Sequence, residues 1–213
     1  MTDNGLILLP GKLDRATQQA LLDVVRAVIE KAPLFVPRMP GSGRAFSVRM
    51  TNTGALGWVS DRCGYRYQEC HPDTGAPWPA MPAVLSALWD SLTGGAAPAE
   101  CCLISYYADA GARMGLHRDQ DEQEKNAPVV SLSLGDTAIF RIGGSGRRDP
   151  TRSFRLASGD VLVLKDQARH SYHGVDRIIA GSSSLLAEGG RFNLTLRRVR
   201  PASSVAVDLA ADA

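Results

Sequence analysis

The sequence predicts a mainly β protein with flanking helices. Three observations carry that expectation: short β-type runs dominate the C-terminal half, two amphipathic helical stretches precede them, and turn residues separate the runs. With 213 residues, 44% of them hydrophobic and 22% charged, the chain can bury one sizeable core.

After a short apolar start, LDRATQQALLDVVRAVIEKAP places Leu21, Leu22, Val25, Val28 and Ile29 at helical spacing and stops before Pro33, which predicts a helix over about 14–31. PAVLSALWDSLTGG predicts a second helix. Pro82 stands at its first turn, Leu85, Leu88, Trp89 and Leu92 share one face, and Gly94 and Gly95 lie beyond its end. The stretch between the helices is aromatic and rich in Gly and Pro. From residue 101 the runs CCLISYYA, PVVSLSLG, TAIFRIGG, RSFRLAS, DVLVLKD and RFNLTLRRV read as strands, and their regular spacing predicts a sandwich or jelly roll. The closing PASSVAVDLAADA predicts a frayed or disordered tail, and no repeat of useful period is present.

No apolar run approaches the ~20 residues of a membrane span, and MTDNGLILLPGK has neither the basic start nor the cleavage site of a signal peptide, so a cytoplasmic, non-membrane protein is expected. Cys63, Cys70, Cys101 and Cys102 lack C-x-x-C spacing and read as reduced, mostly buried thiols; a zinc site from Cys63, Cys70 and His71 is the alternative. The net charge of +2 neither demands nor excludes a polyanionic partner. Its distribution says more: five arginines face only Asp61 between Arg38 and Arg66, and five face only Asp149 between Arg141 and Arg155. These stretches fit either a phosphate-contacting rim or ordinary solvated surface.

GLHRDQDE puts His117 and Asp119 one residue apart in a chain with four histidines, and RHSYHGVDR supplies His170 and His173 after several strands. Two imidazoles and one carboxylate on one face of a metal leave three positions open, the facial triad of non-haem Fe(II) oxygenases. Zinc more often takes four protected ligands. Because strand side chains alternate, only one of His170 and His173 can face inward, and His173 is taken as the ligand. RFNLTLR sets Arg191, Asn193, Thr195 and Arg197 on one strand face. Such a polar row is a costly core unless it binds something anionic, and a dicarboxylate chelating iron needs a two-pronged arginine for its far end. In LGWVSDRCGYRY, Trp58, Tyr65 and Tyr67 stand in a basic segment, a composition that suits base stacking with phosphate contact but equally suits a core.

The stretches MTNTGALGWVSDRCGYRY, PWPAMP, CLISYYA, LHRDQDE, SLSLGDTAIFRIGG, SYHGV and RFNLTLR together resemble the AlkB family of Fe(II)- and 2-oxoglutarate-dependent nucleic-acid dealkylases, over about residues 45–198. The resemblance implies a double-stranded β-helix (jelly-roll) core under an N-terminal α/β nucleotide-recognition lid. It divides the chain into helices and lid over 1–100, oxygenase core over 101–200 and tail over 201–213. It also implies that His117, Asp119 and His173 bind Fe(II), that Arg191 clamps the far carboxylate of 2-oxoglutarate, and that Arg197, Asn193, Tyr107 and Ser105 complete the cosubstrate pocket. The family commonly has Asn where this chain has Ser105, and one residue fewer between Tyr107 and His117. On the substrate side it implies that Trp58 stacks on a flipped base against His117 and that Tyr65 and Arg147 reach phosphates. Met50 and Thr51 would lie near the base and backbone, with Asp121 beside a cationic methylated base. The implied reaction uses O2 and 2-oxoglutarate to demethylate N1-methyladenine or N3-methylcytosine in single- or double-stranded DNA, or in RNA, by a monomeric enzyme. An oxygenase acting on RNA alone, protein or a small metabolite, and a non-catalytic binding module, are the alternatives.

Overall fold

The chain, described here from a computed structural model over residues 2–202, opens with β1 (Thr2–Asp3) and β2 (Leu6–Leu9). Helix α1 (Arg15–Lys31) follows, with Asp14 as its N-cap accepting from the Thr17 amide. Then come β3 (Arg49–Gly54), β4 (Gly57–Asp61), β5 (Gly64–Gln68) and helix α2 (Ala83–Thr93), whose last carbonyls turn into Gly94 in the left-handed conformation that only glycine adopts freely. The C-terminal half runs β6 (Cys101–Tyr107), β7 (Met114–His117), β8 (Val129–Gly135), β9 (Thr137–Ile142), β10 (Arg152–Leu156), β11 (Val161–Leu164), the short α3 (Asp166–Arg169), β12 (His173–Ile179) and β13 (Arg191–Arg197). Residues 203–213 of the expected tail lie outside the described residues.

These strands form a seven-stranded sheet in the order β1-β2-β11-β8-β13-β6-β3, a four-stranded sheet β10-β9-β12-β7, and the two-stranded hairpin β4-β5. All pairings are antiparallel. Strict alternation in β13 sends Phe192, Leu194 and Leu196 to one face of the large sheet, where they meet Leu132, Leu134 and Ile104 under Leu21, Leu22 and Val25 of α1 and Leu85 and Trp89 of α2. Each such fully buried side chain contributes about 1.5–3 kcal/mol. The other face carries Leu162, Leu164 and Leu103, which share an apolar layer with Phe140, Ile142, Val175 and Ile178 of the four-stranded sheet. The polar row of β13 lies on this second face, between the two sheets.

The double-stranded β-helix expectation is corrected here. The ladders divide among three sheets, none closing into a barrel or strongly curved roll, and with the helices the architecture is mixed α/β. Alternation in a sequence specifies which face a side chain takes but not which strand it pairs with, so strand spacing alone could not foresee three separate sheets. Helix α1 matches its expected span within a residue, and Pro82 sits at the N-cap of α2.

The cysteines are free: Cys101 and Cys102 are buried, Cys70 is half-buried and Cys63 exposed. His71 spends Nε2 on the Pro33 carbonyl at 2.7 Å, while Nδ1 receives the amides of Asp73 and Thr74 at 3.1 and 3.3 Å. Both its nitrogens are thus engaged without a metal. Among the described residues no helix is long and apolar enough to cross a membrane.

Candidate active site

His117 ends β7 and His173 begins β12, and the two are direct partners across that ladder. Gly174 allows the strands to meet there, since a Cβ on it would come within 2.5 Å of the Met114 carbonyl. The imidazole centroids stand 4.6 Å apart, and Asp119, just past β7, brings Oδ1 to 3.5 Å from His117 Nε2 and 4.0 Å from His173 Nε2. The three candidate ligand atoms lie within 4.8 Å of one another. His117 Nδ1 is 2.9 Å from the Gly115 carbonyl and His173 Nδ1 is 3.0 Å from the Ser171 carbonyl. A carbonyl only accepts, so each Nδ1 carries the proton and each Nε2 keeps its lone pair toward Asp119. This donor set fits Fe(II).

The charges agree with that use. Burial alone pushes the Asp119 carboxyl up, but the guanidiniums of Arg197 first and Arg169 with it hold it well below the usual carboxylate range. Burial brings His173 down to about 4, so it stands neutral at physiological pH. Asp119 Oδ2, the oxygen turned from the imidazoles, accepts from Arg197 Nη2 at 2.9 Å and Nε at 3.2 Å.

Beside this group lies the row from β13. Arg191 is 1% exposed and donates to Ser133 Oγ at 2.8 Å, to Asn193 Oδ1 at 3.2 Å, and to the carbonyls of Leu156 and Asp136 at 3.1 and 3.2 Å. Its Nε has no partner, and among the described residues no carboxylate pairs with it. Burial lowers Arg191 to about 10, so it remains a cation. Tyr107, its partner across the β13–β6 ladder, is pushed up to about 12 by burial and stays a phenol. Asn193 accepts from Ser131 and donates to Thr195 at 2.9 Å, and Ser105 stands opposite it on β6. A buried guanidinium with neutral partners and a free N–H suits an incoming carboxylate. Arg197 also keeps Nη1 unpartnered, although its other nitrogens serve Asp119 and Glu122.

The hairpin overhangs Asp119's loop. Trp58 Nε1 donates to Asp121 Oδ2 at 2.8 Å, and Tyr65, 44% exposed, stacks on Trp58 at 5.7 Å and 19°. Arg147 and Arg118 lie 5.9 and 5.7 Å over the ring of Tyr172, the residue before His173. Met50 is buried opposite Ser105, on the face shared with the polar row, whereas Thr51 points the other way and donates to the Ala32 carbonyl at 2.7 Å. The fold therefore does not bring Thr51 to this site. His170 is exposed. Of the arginine stretches, Arg66 pairs with Asp61 and Arg141 with Asp176, so neither stretch is wholly free for phosphate.

Sequence reasoning missed two buried participants, Glu122 and Arg169, and did not foresee that the half-buried Tyr67 would reach them. Glu122 accepts from Tyr67 Oη at 2.6 Å and from Arg169 Nη2 at 3.0 Å, and pairs with Arg197 Nε at 3.3 Å. It was visible as one more acid of HRDQDE, but nothing in the spacing says which acid turns inward.

The profile of the 2OG-Fe(II) oxygenase superfamily matches residues 5–197. The chain is 55% identical over 198 residues to the alpha-ketoglutarate-dependent dioxygenase AlkB homolog of Caulobacter vibrioides, covering 93% of this chain and 89% of that one. This chain is an AlkB-like member of the superfamily. The alpha-ketoglutarate-dependent dioxygenase AlkB of Escherichia coli is 39% identical to this AlkB-like chain, covering 91% of it and 90% of the relative. The solved structure of OsALKBH1 superposes with a TM-score of 0.78 at 28% identity, over 93% of this chain and 98% of that one.

Proposed function

We infer that this chain is an Fe(II)- and 2-oxoglutarate-dependent dioxygenase that oxidatively demethylates N-alkylated bases, N1-methyladenine and N3-methylcytosine, in nucleic acid. The observation that carries this reading is the meeting of His117, Asp119 and His173 beside a buried arginine that no carboxylate pairs, in a chain of the AlkB-like family.

Two imidazoles, each turning Nε2 toward Asp119, and one charge-stabilised carboxylate would hold Fe(II). Bound there, the iron would use O2 and 2-oxoglutarate to hydroxylate the N-methyl carbon, yielding succinate and CO2, and the hydroxylated carbon would leave as formaldehyde. Arg191 would take the far carboxylate of 2-oxoglutarate with its free Nε–H, a contact that supplies the paired carboxylate it lacks. Tyr107, Asn193 and Ser105 would shape that pocket, and Arg197 Nη1 would meet its iron-side end. Residues 101–200 thus carry the metal and cosubstrate, and the part of 1–100 assigned to nucleotide recognition is the hairpin.

On the hairpin, Trp58 would stack on the extruded base across from His117, held at its indole N–H by Asp121. Asp121 would leave its second oxygen and its charge facing a base that methylation has made cationic. Tyr65 and Arg147 would contact phosphates, with DNA as the expected polymer and RNA as the other. Met50 would close the pocket floor.

The test is iron-dependent decarboxylation of 2-oxoglutarate in the presence of a methylated oligonucleotide. His117→Ala, Asp119→Ala and His173→Ala each abolish it, and His170→Ala leaves it. Full turnover in His173→Ala would show the wrong histidine, or the wrong chemistry.

A further inference from the structure

Two arginines grip Asp119 at different ends, and one buried acid holds both. Arg197 binds the Oδ2 of Asp119, while Arg169 donates from Nη1 to Asp119's own main-chain carbonyl at 3.0 Å. Between the guanidiniums sits Glu122, 3% exposed, with Oε2 on Arg169 and Oε1 facing Arg197 Nε. Without Glu122, two buried cations would share a single carboxylate, and either could shift away from Asp119. The fourth member is Tyr67, which donates to Glu122 Oε1 from the hairpin. Burial keeps that phenol protonated.

Tyr67 is the cross-strand partner of Trp58, so the two side chains stand on one face of the hairpin. Trp58 bonds Asp121 and Tyr67 bonds Glu122, successive acids in the loop that carries Asp119. The hairpin is thereby fastened at two adjacent points to that loop. The exposed point reaches the mouth of the site and the buried one reaches the frame around Asp119.

We propose that Glu122 is a positioning residue for the metal centre, fixing Asp119 through Arg197 and Arg169, and that the Tyr67 hydroxyl couples this frame to the base-recognition hairpin. The proposal rests on the reading of Asp119 as a metal ligand. It assigns Glu122 no contact with metal, cosubstrate or base.

Co(II), inert toward O2 chemistry here and optically visible, is the probe, added without oligonucleotide. Glu122→Gln keeps shape and removes charge. It should weaken Co(II) binding about ten- to hundred-fold and alter the visible Co(II) spectrum, which reports ligand geometry. Tyr67→Phe should weaken it less, and should shrink the change in that spectrum that a methylated oligonucleotide produces in the wild-type protein.

A Glu122→Gln protein that melts lower but binds Co(II) with wild-type affinity and spectrum would overturn the proposal, leaving Glu122 a fold-stabilising residue only. Should Glu122→Gln fail to fold, Tyr67→Phe decides alone: unchanged Co(II) affinity and an unchanged oligonucleotide response overturn the proposal. Wild-type protein that takes up no Co(II) would overturn the dioxygenase reading as well, so the two failures are distinguishable.

Discussion

Arg191 is a buried cation with no carboxylate in salt-bridge contact, its charge offset only from a distance by Asp160, an arrangement that is costly unless a closer anion arrives. Its hydrogen-bond partners, Ser133, Asn193 and two carbonyls, are neutral, so they orient the guanidinium without pairing its charge. Arg191→Lys replaces a planar fork with a point charge, so the KM for 2-oxoglutarate should rise about ten- to hundred-fold, the equivalent of one charge-assisted hydrogen bond of roughly 1.5–3 kcal/mol. Steady-state decarboxylation measures it, and an unchanged KM would remove Arg191 from that role. At this scale the sequence was informative where chemistry depends on spacing. His117 and Asp119 are close in the chain, and the two-residue period of β13 put Arg191, Asn193, Thr195 and Arg197 on one face. It was silent where a role depends on a partner brought from afar. Arg169 and Glu122 look like surface charges until the fold brings them to 3.0 Å and buries both.

The hairpin is the element on which recognition turns. It is held to β3 by Asn52, whose side chain exchanges two hydrogen bonds with the backbone of Trp58, at 3.0 and 3.1 Å. That anchoring lets Trp58 be truncated without displacing the strand. Trp58→Ala should therefore weaken binding of a methylated oligonucleotide by ~1–3 kcal/mol while 2-oxoglutarate binding persists; equilibrium titrations of both ligands check this, and loss of both would make Trp58 a core residue. A second element-scale device is Glu100, which joins the start of β6 to the end of β13 by accepting the amides of Val199 and Arg200 and the side chain of Arg200. Burial pushes its carboxyl up, but those bonds and the charge of Arg198 hold it below its ordinary value. A depressed pKa contributes stability above the unfolded carboxyl value of about 4.3 and loses it as pH falls through the folded value. Glu100→Gln should lower Tm at neutral pH, and the difference from wild type should close in acid. Helices α1 and α2 and the strands β6, β8, β9, β10, β11 and β13 were legible because long amphipathic periods and alternation are local signals, whereas α3 and β12, with HGVDRII carrying a glycine and two charges, were not. The hairpin and β7 were not, since GWVSD, GYRYQ and MGLH are short, glycine-bearing and only partly apolar.

For the whole molecule, the decisive feature is that the two larger sheets pack face to face with the site between them. The four-stranded sheet delivers the two histidines, the seven-stranded sheet delivers the arginines, and Asp119 bridges them by facing His117 and His173 with one oxygen and Arg197 with the other. The jelly-roll expectation failed on strand pairing, yet the facing of side chains that makes the site survived, because facing is set by alternation along each strand and pairing is not. The central claim is one reaction carried out where those sheets meet. It is tested by incubating the purified protein with Fe(II), 2-oxoglutarate, O2 and an oligonucleotide bearing N1-methyladenine, and quantifying formaldehyde and succinate together. Equal amounts of the two, appearing with unmodified adenine and vanishing when Fe(II) or 2-oxoglutarate is left out, are expected; succinate without formaldehyde, or neither product, would contradict it.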